Sequence, residues 1–211
     1  MRATTILAAA LATAAAFTGC ATPERSRTLN DPTVPPATLA RQVCSNCHGA
    51  DGNSISPNFP RLAAQQEQYL VAQLTGFRNH HRSDPAGFEY MWGLSRHLSD
   101  DQIRGLAAYF AAQKPAAGQP GEAALAARGK DVFEHGVESK GIPACAGCHG
   151  AHGEGNAAFP RLAGQHADYV VKQLIVFQRT DERPEGAIMK TVAHSLTEDN
   201  MEAVAAYVEG L

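Results

Sequence analysis

Apolar residues recur every three or four positions over most of the chain after residue 36, which is the spacing of one face of an α-helix. The clearest stripes lie near the end of each half of the chain: Ile103, Leu106, Ala107 and Phe110, and then Met201, Val204, Ala205 and Val208. Ser99 and Thr197 stand just before these stripes and are suited to cap a first helical turn. The pattern predicts an all-α fold.

Helices are also predicted earlier in each half. A short one starts at about Ala37, and a longer one runs from about Glu122 to His135 with Val132 and Phe133 on its apolar face. A third helix in the first half follows from residues with helical spacing, which are Tyr69, Leu70, Gln73, Leu74 and Phe77. Their counterparts predict the same helix in the second half.

The two halves of the chain repeat each other. The segment Phe-Pro-Arg-Leu-Ala at 59–63 returns at 159–163, and Tyr109 is matched by Tyr207. Such a repeat is explained by two tandem copies of one domain. We place these domains at 37–114 and 122–211, joined by a linker at 115–121 that is rich in glycine and proline.

The first 36 residues predict export and a tether. Residues 1–19 have one early cation and then an alanine-rich apolar run, as in a signal peptide. The segment before Cys20 is similar to a bacterial lipobox, so a lipid on Cys20 would tether the protein to a membrane. Ordinary cleavage after Ala16 or Ala21 is the alternative. Residues 20–36 contain four prolines among polar residues and predict a flexible spacer.

Each domain contains one Cys-x-x-Cys-His motif. The first places Cys44 and Cys47 before His48, and the second consists of Cys145, Cys148 and His149. Two thiols can add to the two vinyl groups of a haem while the adjacent imidazole binds its iron. A redox dithiol and half of a zinc site are the alternatives. A zinc site shared by the two motifs would join pairs about a hundred residues apart, far from the usual spacing.

Two methionines are candidates for the second axial ligand of the irons. Met91 and Met189 lie 98 residues apart, the same offset as the tyrosine pair, whereas Met201 falls on an apolar helical stripe. A thioether ligand raises the reduction potential and completes the coordination of the iron, which favours electron transfer. The seven histidines outside the motifs do not recur at the shared offsets and are predicted to be surface or loop residues.

The repeated segment after each motif supplies candidates for supporting contacts. The carbonyl of Pro60 or Pro160 could accept the free proton of the haem-binding imidazole. Arg61 and Arg161 follow directly and could pair with a haem propionate, or could simply be exposed.

With these residues in view, the chain resembles di-haem class I cytochromes c of the cytochrome c4 family. The resemblance rests on the two haem motifs, the two Phe-Pro-Arg-Leu-Ala segments and the methionines ahead of the last helices. It implies two cytochrome c folds, each around a covalent haem c, with the haems close together. It also implies a periplasmic electron carrier, with a cytochrome bc complex or a dehydrogenase as donor and a terminal oxidase as acceptor.

The two halves of the chain differ at two places where an exact repeat would have the same residues. The helix before the first motif lacks a counterpart of Gly129, so its packing is expected to differ, and Trp92 follows Met91 where Lys190 follows Met189.

Charge and composition leave few other function classes. The formal net charge is −3 in all, +1 over residues 37–114 and −5 over residues 121–211. Nothing is similar to a basic nucleic-acid surface, and no small-molecule substrate is expected. A di-haem peroxidase-like enzyme, or a cytochrome subunit of a dehydrogenase complex, remains the alternative to a free electron carrier.

Overall fold

The computed structural model describes residues 26–211, which are helical as predicted, with no β-strand in that part of the chain. The first half begins with one helical stretch made of α1 (Pro36–Leu39), a π-helical turn (Ala40–Cys44) and α2 (Ser45–His48). Three longer helices follow: α3 (Glu67–Arg78), α4 (Pro85–Ser95) and α5 (Asp100–Ala111).

The second half repeats this order. It contains α6 (Ala123–His135), a 3₁₀ turn (Glu138–Lys140), α7 (Ala146–His149), α8 (Ala167–Arg179), a second 3₁₀ turn (Pro184–Gly186), α9 (Ala187–Ala193) and α10 (Glu198–Glu209). No helix among the described residues is long and apolar enough to cross a membrane.

The last helix of each half packs on the helices that precede it. Both predicted stripes are buried, and Met201 is only 2% exposed, as expected for a core residue. Ser99 caps α5 and Thr197 caps α10, and each forms a capping box with the residue at the third helical position, Gln102 or Asn200. These predictions are confirmed.

The crossing between the first and last helices differs between the halves. In the second half, α6 approaches α10 so closely that a Cβ on Gly129 would lie 1.8 Å from Ala203 O. In the first half the glycine is on the last helix, and a Cβ on Gly105 would lie 2.4 Å from Cγ of Pro36. The expected difference in packing is therefore present.

The prediction of a flexible spacer over residues 20–36 is wrong for the last part of that segment. Val34 is 1% exposed and lies in the core of the first half, with Leu29 packed against that core. The Gln102 side-chain amide donates to Asp31 O (2.9 Å) and to Val34 O (3.3 Å). An apolar side chain and two satisfied carbonyls fix this segment to α5, so the packed domain starts before Ala37. Cys20 and residues 1–19 lie outside the described residues.

The linker at 115–121 follows the surface of both halves. Asn53 accepts a hydrogen bond from Ala116 N–H (2.7 Å) and donates one to Lys114 O (3.0 Å). The N–H of Gln119 then donates to Glu209 O at 2.9 Å, near the end of α10. The connection is thus held at both ends.

Candidate haem-binding sites

Each Cys-x-x-Cys-His motif forms one short helical turn. The turn ends at Gly49 or Gly150, with φ of 79° and 86°, a backbone conformation that favours glycine. The four cysteines of the two motifs are not joined in disulfides. The helical turn therefore brings two thiols and one imidazole together, which is the set of groups that covalent haem attachment uses.

The two motif histidines make the same hydrogen bond. His48 Nδ1 lies 2.9 Å from Pro60 O, and His149 Nδ1 lies 2.9 Å from Pro160 O. A carbonyl can only accept, so Nδ1 carries the proton and the lone pair of Nε2 is free to bind iron. Burial lowers the pKa of both histidines, and the hydrogen bond to proline opposes this only in part. Both imidazoles are therefore neutral at neutral pH.

The first cysteine of each motif is a neutral thiol. Burial raises the pKa of Cys44 to about 11 and that of Cys145 to about 11. A thiol that adds to a vinyl group gives its sulfur to one carbon and its hydrogen to the other. Attachment at these cysteines therefore needs no leaving group.

The methionines lie on two helices that the sequence analysis did not predict, α4 and α9. Met91 and Met189 are both partly buried, and Met189 packs against the core of the second half. An available signal was the proline at the start of α4, a residue common in a first helical turn. Whether the two thioethers bind iron remains a prediction.

Aromatic rings connect α4 to the first motif. The Phe59 ring lies edge-on to His48 with centroids 6.2 Å apart, and Tyr90, beside Met91, lies edge-on to Phe59 at 6.0 Å. In the second half, Phe159 takes the same position on His149 at 6.3 Å, whereas Ile188 precedes Met189. The side of the first site near the methionine is thus more aromatic.

The arginines of the repeated segment lie at the interface between the domains. Arg61 is 9% exposed, so the exposed alternative is wrong for this residue. Its guanidinium donates from Nη1 to Gly164 O (2.6 Å) and from Nε to Ser54 O (3.4 Å). The Nε of Arg161 is buried with no hydrogen-bond partner among the described residues. A haem propionate could accept from that atom, and the predicted pairing stays a prediction for both arginines.

Two glutamines that sequence reasoning missed join the domains in a reciprocal way. Gln165 accepts from Arg61 N–H (2.9 Å) and donates to Arg61 O (2.9 Å). Gln65 accepts from Arg161 N–H (2.6 Å) and donates to Arg161 O (3.0 Å). The signal was available, because these glutamines stand 100 residues apart, two positions after each repeated segment.

A buried polar cluster forms a second part of the interface. Arg82 and Arg183 each donate to the side-chain oxygens of both Gln73 and Gln173, at 2.6 to 3.2 Å. Arg82 also pairs with Asp84, Nε to Oδ1, at 2.7 Å. The recurrence of the two arginines at an offset of 101 could have indicated this cluster.

His166 lies in the loop before α8, as predicted, but it is not a surface residue. Its side chain is buried, with Nε2 2.9 Å from Ser54 O and Nδ1 3.5 Å from a carboxylate oxygen of Glu209. The side chain is buried by its contact with Ser54 of the other domain, which a local sequence pattern cannot indicate.

Comparisons with known proteins agree with this geometry. The family model described as Cytochrome c matches residues 36–114 and 126–211. Cytochrome c4 of Pseudomonas aeruginosa is 42% identical over 173 residues, covering 80% of this chain and 84% of that protein. The crystal structure of reduced recombinant cytochrome c4 from Pseudomonas stutzeri matches with a TM-score of 0.75 and 40% identity, covering 86% of this chain and 99% of that one.

The chain belongs to the cytochrome c4 family. Another relative, the thiosulfate dehydrogenase electron acceptor of Thiomonas intermedia, is 36% identical over 171 residues, covering 78% of this chain and 76% of that protein. A cytochrome c4 is an electron-transfer protein and not an enzyme, and it has two covalently bound haem c groups. The residues present fit these groups, because each domain offers two thiols and a neutral imidazole with a free Nε2.

Proposed function

We propose that this cytochrome c4 carries electrons in the periplasm through two six-coordinate haems. His48 and Met91 bind the first iron, and His149 and Met189 bind the second. The observation that carries the histidine assignment is the matched bond from each histidine Nδ1 to a proline carbonyl at 2.9 Å, which leaves the lone pair of Nε2 free to bind iron. When bound, the haems supply one-electron redox chemistry.

The partners are redox proteins that dock close to a haem. We propose a cytochrome bc complex or a dehydrogenase as donor and a terminal oxidase as acceptor. A dehydrogenase donor gains support from the relative that is named as a thiosulfate dehydrogenase electron acceptor. The same relative favours a second candidate function, that of a cytochrome partner fixed within a dehydrogenase complex. Stable co-purification with such an enzyme would distinguish the two.

The place of action follows from the first residues of the sequence. Residues 1–19 direct export, and a lipid on Cys20 holds the mature protein at the membrane. Mass spectrometry of the mature N-terminus separates this proposal from simple cleavage, because a lipid adds its mass to a chain that begins at Cys20.

The ligand assignment is tested on the oxidised holoprotein. A ferric haem with a sulfur ligand has a weak far-red absorption band, and two such haems should give twice the intensity of one. Met91→Leu and Met189→Leu are each expected to remove half of the band, and the double variant all of it. Met201→Leu is the matched control, because this methionine is buried in the core of the second domain.

Two results would contradict the assignment. One is a full band in either single variant, which would mean that another residue supplies the sulfur ligand or that none is used there. The other is a wild-type protein with one high-spin haem that reacts with peroxide, which would favour the peroxidase-like enzyme.

A further inference from the structure

The peptide group that orients each haem histidine is held by a side chain of the other domain. The carbonyl of Pro60 and the N–H of Arg61 belong to one planar peptide unit. Its oxygen lies 2.9 Å from His48 Nδ1, and its N–H donates to Gln165 at 2.9 Å. The equivalent unit between Pro160 and Arg161 joins His149 to Gln65, at 2.9 Å and 2.6 Å.

A peptide group that donates and accepts at the same time is polarised by both bonds. A hydrogen bond to the N–H makes the carbonyl oxygen a better acceptor, and the effect is stronger in a buried site. A stronger acceptor at Nδ1 in turn makes the imidazole a more electron-rich ligand of the iron. An electron-rich axial ligand stabilises ferric iron and lowers the reduction potential of the haem.

We propose that Gln65 and Gln165 are positioning residues that act across the interface, each setting the potential of the haem in the opposite domain. Gln165 of the second domain acts on the haem bound by His48, and Gln65 of the first domain acts on the haem bound by His149. The inference rests on the proposed ligation of iron by these two histidines.

The glutamine side chains are fixed in the orientation that this role requires. Gln65 is 5% exposed and Gln165 is 6% exposed. Each side-chain oxygen also accepts from the N–H of the next residue, Gln66 at 2.9 Å or His166 at 3.1 Å. Each amide nitrogen donates to the carbonyl of the arginine it faces. The amide therefore contacts both ends of the arginine backbone and cannot turn without losing several bonds.

Gln66 provides a matched control in the same region. Its side chain also crosses between the domains, where it donates to Glu154 O at 2.9 Å. The peptide unit that contains this carbonyl donates through Gly155 N–H to the backbone oxygen of His149 at 2.7 Å, and it makes no hydrogen bond to a haem-histidine ring. Removing the Gln66 side chain therefore weakens the interface without changing the hydrogen bonds that join Gln65 or Gln165 to a haem-histidine ring.

The test uses the intact holoprotein and measures the potential of each haem separately. Redox titration followed by NMR resolves the two haems through the shifted resonances of their axial ligands. Gln65→Ala is expected to raise the potential of the haem at Cys145 and Cys148 and to shift the His149 ring resonances. Gln165→Ala is expected to do the same for the haem at Cys44 and Cys47, whereas Gln66→Ala should move neither.

A second pair of variants distinguishes the loss of these hydrogen bonds from a general loss of folding. Gln65→Leu and Gln165→Leu keep most of the buried volume and remove the same hydrogen bonds, so they should reproduce the crossed shifts. The inference is overturned if each variant shifts only the haem of its own domain, if both haems shift equally, or if Gln66→Ala has the same effect. Failure of the proposed histidine ligation would instead appear in the wild-type protein, as the absence of shifted ring resonances of His48 or His149.

Discussion

The two domains contain the same haem motif, yet they solve the crossing of their first and last helices in opposite ways. The second domain places the small residue on the first helix, where Gly129 lies against the backbone of Ala203. The first domain places it on the last helix, where Gly105 accommodates the ring of Pro36. Close packing constrains the pair of residues at the crossing and not either helix alone.

A second contrast concerns the buried arginines of the interface. Arg82 pairs with Asp84, whose carboxylate is almost completely buried, whereas Arg183 pairs with Glu185, whose side chain is 28% exposed. Burial alone would raise the pKa of Asp84, but the hydrogen bond and charge of Arg82 outweigh it and keep the pKa below its usual value. The carboxylate that pairs with Arg82 is therefore shielded from water, whereas the carboxylate that pairs with Arg183 is partly hydrated.

Removal of the two carboxylates should give the largest difference between the domains. Asp84→Ala leaves the guanidinium of Arg82 buried without its counter-ion, and we expect a loss of about 3–5 kcal/mol of unfolding free energy. Glu185→Ala is expected to cost about 1 kcal/mol or less, because water can reach Arg183 when the side chain is removed. Denaturant unfolding of the holoprotein, with hydrogen exchange to assign the affected helices, measures both.

The pH dependence gives an independent check on that pair. A carboxylate whose pKa is lowered by folding contributes stability above its unfolded pKa, near 4. This contribution is lost as the pH falls through the lower folded value. Asp84→Asn should therefore flatten the acid side of the stability profile, which denaturant unfolding at a series of pH values measures. An acid slope in Asp84→Asn equal to that of the wild type would contradict this contribution of Asp84.

A methyl group at the helix crossing should have the next largest effect. Gly129→Ala places a Cβ against backbone that α10 cannot move easily, and we expect a loss of about 3 kcal/mol, at the upper end of overpacking effects. Gly105→Ala meets only the Pro36 ring on a four-residue helix, and a loss of about 1 kcal/mol is expected. Thermal or denaturant unfolding distinguishes these values.

A compensating change sharpens the same comparison. Pro36→Ala removes the Cγ that Gly105→Ala would meet but keeps Cβ, which would lie 2.7 Å from the new methyl group, so the double variant should recover only part of the lost stability. No single side-chain truncation can do this for Gly129, because its neighbour is the Ala203 carbonyl. A double variant no more stable than Gly105→Ala would show that another contact limits the first crossing.

The smallest expected difference concerns one position of the repeat with a left-handed backbone. Ala64 has φ of 54°, whereas its counterpart Gly164 has φ of 72°. Gly164→Ala should destabilise by about 1 kcal/mol through backbone strain alone, because a Cβ there would make only ordinary contacts, the nearest with Ala116 O at 3.7 Å. Ala64→Gly should be neutral or stabilising by less than about 1 kcal/mol. Opposite signs in unfolding measurements are expected, and a loss in both would argue against strain at Ala64.

Local sequence signals predicted the features that depend on neighbours along the chain. The caps at Ser99 and Thr197 and the helix that begins at Ala123 follow from spacing and capping chemistry. The buried position of His166 and the bonds of Gln65 depend on residues about a hundred positions away. A polar side chain that is buried against another domain has the same local pattern as an exposed one, so periodicity could not reveal it.

The reciprocal contacts of Gln65 and Gln165 have a consequence for how the chain can vary. In a symmetric homodimer, residue i of one subunit contacts residue j of the other, and the second contact is its copy. This chain has the same arrangement within one polypeptide, with Gln65 on Arg161 and Gln165 on Arg61. A single substitution in a homodimer alters both contacts at once, whereas here it alters one. Each half can therefore diverge separately while the other keeps the original contact.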